Sequence, residues 1–390
     1  MPNNYVGQKM KLLRNKNVIF YVLATLAMAG MVWFGVSTEI DFGRDAMPGV
    51  TWPRGRVVEV VSDDTAIDEY GRPSGRQDLL VEILTGEYRG RIVEVQNILF
   101  INAPVHAQAG QRIVLHFESF EDGGYFARVH TYERATGIYI IVLLFFGLLA
   151  AVGGKAGLRS AFGLVFTFVV LLFLLIPAIV RGAPPGLMTV GLSLVIVAVS
   201  LIAIMGFEKK TYVSIAGTTI GIVMYVLFYF MASAALRITG FNAADMSDVI
   251  TFPFQSMAGI SQLLFCGILI ASLGAVMDIT VSVSSATAEL SAGSPDADFK
   301  TLFRSSMRMA RDCIGSSANT LILAFTGTFF VTLILFRLNN FDYHMIINRT
   351  DIAIEVLRAL TASAAMVLAA PVTVLIGAHV YCARRREKAK

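Results

Sequence analysis

The sequence predicts a polytopic α-helical membrane protein with about eight transmembrane helices and a small all-β, OB-like extracytoplasmic domain between the first and second. Three observations carry this reading. Hydrophobic residues make up 55% of the 390 and charged residues 15%, where a soluble domain carries about 25% charge. The shortfall is uneven, because long apolar runs alternate with short basic clusters, as in chains that cross a bilayer repeatedly. One segment, 37–134, breaks that pattern: it holds a large share of the Asp and Glu and alternates with period two.

Residues 1–36 read as a polar cytoplasmic N-terminus with Lys9, Lys11, Arg14 and Lys16, then an apolar run over 18–36. About 20 apolar residues span a hydrocarbon core of roughly 30 Å, so this run is long enough for a signal anchor. Ala27-Met28-Ala29 resembles a small-residue cleavage site; the run continues past it, which favours the anchor. Within 37–134, strands are expected at 55–61, 78–84, 91–98, 112–119 and 125–132. Gly86 to Gly90 reads as one turn and Glu121-Asp122-Gly123-Gly124 as a hairpin turn. Five strands in under 100 residues suit a small barrel or sandwich.

The stretch 135–383 reads as a seven-helix transmembrane domain, with spans at 136–154, 160–180, 186–206, 212–236, 257–278, 313–336 and 359–381. Residues 384–390 form a basic tail. Lys155 with Arg159, Lys209-Lys210, Lys300 to Arg311 and Arg384 to Lys390 fall on the side of the N-terminus. The positive-inside rule makes that side cytoplasmic. Arg181, Arg237 and Arg337 oppose the rule singly and do not outweigh the clusters. Asn242 and Asp245 to Asp248, ahead of Phe252-Pro253-Phe254, read as an outer loop that either re-enters the membrane or caps the bundle, the cap being the favoured reading.

The polar residues of the sixth and seventh spans are the candidate pathway. The 34 residues from Met257 to Leu290 would make a helix of about 51 Å, which must tilt, break near Gly274 or run on past the membrane. Asp278, Ser282, Ser285 and Glu289 recur at i, i+4, i+7 and i+11 and share one helical face, opposite Val276, Ile279, Val283 and Ala286. Next, Phe299, Leu302, Phe303, Met307 and Ala310 form an apolar stripe beside Arg304, Arg308 and Arg311, as in a helix lying at the cytoplasmic interface. Asp312, Gly315 and Asn319 then share a face. Two readings of Asp278 stand side by side. It binds a cation or proton with Asn319 and nearby hydroxyls, since ionisable groups inside a membrane face a partner or a wet cavity. Alternatively it lies near the cytoplasmic surface, pairs with Arg308 or Arg311 and fixes packing.

Gly217 and Gly221 form a GxxxG suited to close helix contact, and Pro177 and Pro371 are expected to kink their spans. Cys266, Cys313 and Cys382 form no disulfide framework, and His106, His116, His130, His344 and His379 make no metal spacing. Walker A, HExxH, GxSxG and Gly-rich dinucleotide patterns are missing. The expectation is therefore a non-enzyme without cofactor or metal. Its partners are the lipid bilayer, a small ion or solute, an envelope protein at the β domain and a second copy, with no nucleic acid.

Three stretches resemble the YibE/F-like bacterial membrane proteins: VEILTGEYRGRIVEVQN (81–97), LGAVMDITVSVSSATAEL (273–290) and RDCIGSSANTLILAFTG (311–327). With the order of spans, the resemblance covers roughly 55–385, and the Ser- and Thr-rich run 281–287 is unusual for it. The resemblance implies a polytopic protein of a bacterial cytoplasmic membrane with an external β domain; it supplies no substrate or reaction. From the residues, the expected function is a permease-like transporter or channel for an ion or small polar solute. The alternative is a membrane scaffold or accessory subunit whose β domain binds an envelope partner.

Overall fold

The computed structural model describes residues 3–37, 49–67, 69, 71, 73–99, 105–120, 123–239, 257–294 and 296–388. The chain divides into two units, Asp41–Leu149 and the pair Met1–Ile40 with Ala150–Lys390.

The first unit is a barrel. Strand β1 (Val50–Thr51) is a short addition to β5. Strands β2 (Arg54–Ile67), β3 (Pro73–Ile83) and β4 (Ile92–Leu99) form an antiparallel meander. β5 (Arg112–Ser119) pairs antiparallel with both β2 and β6 (Tyr125–Tyr132), and β6 pairs in parallel with β4 through Gln96↔Arg128. The ring β5-β2-β3-β4-β6-β5 is therefore closed, with the connectivity of an OB-like barrel. Alternation drives it: β4 buries Val93, Val95, Asn97 and Leu99 and exposes the residues between them. Val57, Leu79, Val81, Ile83, Ile113, Leu115 and Phe117 complete the core.

The β2–β3 hairpin runs further than expected, to Ile67↔Pro73. Its outer half is mostly polar and solvated on both faces, so no hydrophobic alternation announces it. Gly86 and Gly90 (φ 86° and 85°) shape the β3–β4 turn, where the Gly90 N–H donates to the Ile83 carbonyl at 2.8 Å. Glu121 and Asp122 of the expected β5–β6 turn lie outside the described residues.

The second unit is helical. Helix α1 (Asn3–Ser37) packs through Tyr21, whose hydroxyl donates to the Ala203 carbonyl at 2.8 Å. Helix α2 (Ala135–Val170) continues through a π-helical turn, Leu171–Leu175, into α3 (Ile176–Val180). The π turn directly precedes Pro177, which has no N–H to give the turn before it. Then come α4 (Pro185–Met205), α5 (Lys209–Leu236), α6 (Met257–Gly293), α7 (Phe299–Thr328), α8 (Phe330–Leu338), α9 (Tyr343–Ile347) and α10 (Thr350–Lys388), which runs through Pro371.

Among the described residues, six helices are long and apolar enough to cross a membrane, or seven if α7 and α8, bent by 55°, form one span. The structure bears on three expectations. The spans 136–154 and 160–180 meet without a loop in the stretch Ala135–Val180, which is kinked at Gly154 (φ 54°, ψ −132°), a conformation open to glycine, so the expected break stands at that residue. Helix α6 is unbroken at Gly274 and simply runs on to Gly293. Of the expected apolar stripe, Phe303, Met307 and Ala310 pack on the bundle core and Leu302 is buried, while Phe299 stays exposed. The stripe starts one continuous helix, capped by Asp298, whose carboxylate accepts from the Thr301 N–H at 2.9 Å.

The core of this unit lies where α5, α6 and α10 meet. Ala362, Ala365, Ala369, Ala370 and Ala378 of α10 are fully buried, which lets backbones approach closely. A Cβ on Gly217 would fall inside the Thr373 hydroxyl, and one on Gly221 would sit 2.5 Å from Val276 Cγ1. The GxxxG is thus a contact within the chain.

Candidate functional site

Helix α6 has two polar faces. The buried one carries Ser272, Thr280, Ser284, Thr287 and Ser291. Thr280 Oγ1 and Thr218 Oγ1 of α5 share a hydrogen bond at 2.7 Å, and Ser284 Oγ and Ser214 Oγ share one at 2.5 Å. Four α6 hydroxyls of this face donate back along their own helix: Ser272 to the Leu269 carbonyl, Thr280 to that of Met277, Ser284 to that of Val281 and Thr287 to that of Val283. Thr373 of α10 does the same to Ala369, against Gly217. These oxygens are neutral and satisfied, so the seam holds helices together and carries no charge. Sequence reasoning missed it. Its signal was present, since Thr280, Ser284, Thr287 and Ser291 repeat at i, i+4, i+7 and i+11, two residues after the acidic set.

The other face holds the candidate residues, and it points away from the core. Asp278, Ser282 and Glu289 are exposed and Ser285 is half-buried. On α7, Arg308, Arg311, Asp312 and Asn319 are all exposed. Among the described residues, no ion pair joins Asp278 or Asp312 to Arg308 or Arg311. The two helices touch and are joined by a short connection, the arrangement of antiparallel neighbours. Counted at 1.5 Å per residue from the connection, Asp278 lies about 22 Å and Asp312 about 20 Å along their helices. The carboxylates therefore stand at one level, with Asn319 about 10 Å beyond.

Two further concavities belong to single units. A largely apolar cavity of about 900 Å³ between α4, α5 and α6 is lined by Leu187, Val190, Phe230 and Phe265, with Arg237 and Gln262 among its few polar groups. Gln262 Oε1 accepts from the Gly186 N–H at 3.1 Å and ties α6 to α4. On the barrel, a groove of about 490 Å³ is lined by Arg76, Asp78, Glu94, Gln96, Tyr125 and Phe126. The expected cap at Asn242, Asp245 to Asp248 and Phe252 to Phe254 lies outside the described residues. His379 is exposed, and among the described residues no three His, Cys, Asp or Glu side chains are grouped to hold a metal ion.

Comparison with curated proteins and with solved structures finds no match. The model of one family, described as YibE/F-like protein, matches residues 141–383. The match takes in both faces of α6, all of α7 and the bundle around them, and begins after the barrel. The candidate site thus lies inside the matched region, and the chain belongs to the YibE/F-like family.

Proposed function

We propose that this protein is a permease-like transporter or channel, through which an ion or small polar solute moves along the exposed polar faces of α6 and α7. The observation that supports it is the row of Asp278, Ser282, Asp312 and Asn319 on membrane helices, without an internal ion pair among the described residues. A carboxylate on lipid at the bilayer centre costs about 2.5–3.5 kcal/mol, so such groups mark pathways or partner sites. No catalytic role is assigned to them.

In this reading the chain crosses the cytoplasmic membrane of a bacterium eight times. The stretch Ala135–Val180 would be about 69 Å as one helix, and Gly154 divides it into two crossings; α7 with α8 supplies the seventh. The basic clusters and both termini are cytoplasmic and the barrel lies outside.

The test is thermal unfolding of the detergent-purified protein with cations, anions, amino acids and sugars at two pH values, beside Asp278→Asn. A ligand of the folded state raises the melting temperature by mass action. The expected result is a gain with one ion or solute that Asp278→Asn abolishes; equal behaviour of the two proteins with every compound overturns the reading.

The barrel groove supports a second reading, a scaffold that holds an envelope protein, peptide or glycan against Tyr125 and Phe126. Loss of a captured envelope partner in full-length Tyr125→Ala/Phe126→Ala, with ligand response unchanged, would favour it.

A further inference from the structure

We propose that the exposed face of α6 is covered by a second copy of this chain, so that the pathway is completed between two protomers. The inference rests on the transport reading for what the interface carries, but not for whether it forms.

The face continues above the acidic residues. Gly267, Ala271 and Gly274 are exposed and lie on the same side of the helix as Asp278, Ser282 and Glu289. A Cβ added at Gly267 or Gly274 would meet nothing within 4 Å. At Gly217 and Gly221 the same residue type is filled by a neighbouring helix of the same chain. Small residues on a membrane helix allow a close neighbour, and at Gly267 and Gly274 the described residues provide none within 4 Å.

The charges say which neighbour fits. Below the small residues, α6 exposes Asp278 and Glu289, while α7 exposes Arg304, Arg308 and Arg311. A two-fold axis along the membrane normal relates two copies without changing depth, so charges that meet must stand at one level. Measured from the α6–α7 connection, Glu289 lies at about 6 Å and Arg304 at about 8 Å; Asp278 lies at about 22 Å and Arg311 at about 18 Å. Glu289 of one protomer therefore stands within about 2 Å of the depth of its partner's Arg304, and Asp278 within about 4 Å of that of Arg311, with Asp312 beside that guanidinium on α7; symmetry makes every pair twice. The same contact removes Asp278 and Asn319 from lipid and sets two rows of them along one seam.

The experiment is cysteine cross-linking of the full-length protein in native membranes, with Cys266, Cys313 and Cys382 first replaced by Ser or Ala. Ala271→Cys is expected to give an oxidation-dependent band at twice the protomer mass, whereas Ser193→Cys, at a buried position of α4, is not. Glu289→Arg and Arg304→Glu are each expected to lower the cross-linked fraction at least threefold, and the double exchange to restore it. A band of another mass at Ala271→Cys, no band in membranes that hold the folded protein, or charge variants that leave the fraction unchanged would overturn the proposal. A dimer without any ligand response leaves this inference standing and the transport reading not. A ligand response abolished by Asp278→Asn in a strictly monomeric protein does the reverse.

Discussion

The two faces of α6 follow one rule of spacing and opposite rules of chemistry. Thr280, Ser284, Thr287 and Ser291 turn inward, where neutral hydroxyls find partners on α5 and on their own helix. Asp278, Ser282 and Glu289 turn outward, where the chain itself offers no ion pair among the described residues. A hydroxyl can be satisfied locally and tolerates a dry interior; a carboxylate needs a cation, a donor set or water. The difference separates what holds the bundle together from what the bundle presents.

The sharpest way to break this contrast is to fill one glycine that packs against the inner side of α6, Gly221 of α5, and one on its outer face, Gly274. Gly221→Leu drives a side chain into Val276 and Ala369. It should lose at least the roughly 1–3 kcal/mol typical of overpacking, seen as a lower melting temperature and reduced yield of folded protein. Gly274→Leu projects into open space and should leave protomer unfolding within about 0.5 kcal/mol of the parent.

The hydroxyl seam comes next. Thr280→Val with Thr218→Val removes the 2.7 Å bond, and a loss of about 0.6–1.7 kcal/mol is expected, whereas Ser282→Ala on the outer face should cost almost nothing. Equal losses in thermal unfolding would mean that the two faces are not distinct. Smaller again is the α7 cap: Asp298→Ala frees the Thr301 N–H and should cost about 1 kcal/mol. Its effect should register as weaker helical protection near Arg304 before any global loss.

Acid separates the units most gently. The inner seam holds no titratable group, so lowering the pH leaves it intact. In the barrel, the Thr65 hydroxyl beside Asp63, helped by Gln77 and His106, holds that carboxyl below its ordinary range against some desolvation. The folded barrel therefore binds fewer protons here than the unfolded chain. The stabilisation is complete above the unfolded carboxylate pKa and fades as pH falls below about 4. Barrel unfolding followed from pH 6 to 3 should show this loss, and Asp63→Asn should flatten it.

Much of this was legible in the residues. Period-two alternation marked the barrel strands, and the Gly217–Gly221 spacing marked a packed contact. The rest was hidden for physical reasons. Periodicity says which residues share a face but not which face is inside, so the outward turn of Asp278 could not be read from its spacing. Ser and Thr are weak signals on any polarity scale, so the seam passed beneath the louder carboxylates. The break between 136–154 and 160–180 was legible from the charges at Lys155 and Arg159, but its form was not: a kink at Gly154 turns the chain and helix resumes directly after it.

The closure of the barrel has its own consequence. Among the described residues, β4 and β6 meet at one register pair, Gln96↔Arg128, whereas β2 and β3 are laddered from Gly55↔Ile83 to Ile67↔Pro73. Backbone amides inherit that inequality. Deuterium should enter early at the lip where β4 faces β6, beside Tyr125 and Phe126, and last along the inner half of the ladder between β2 and β3, from Gly55↔Ile83 to Val60↔Leu79. Any extended molecule seated in the groove would slow exchange at that lip first.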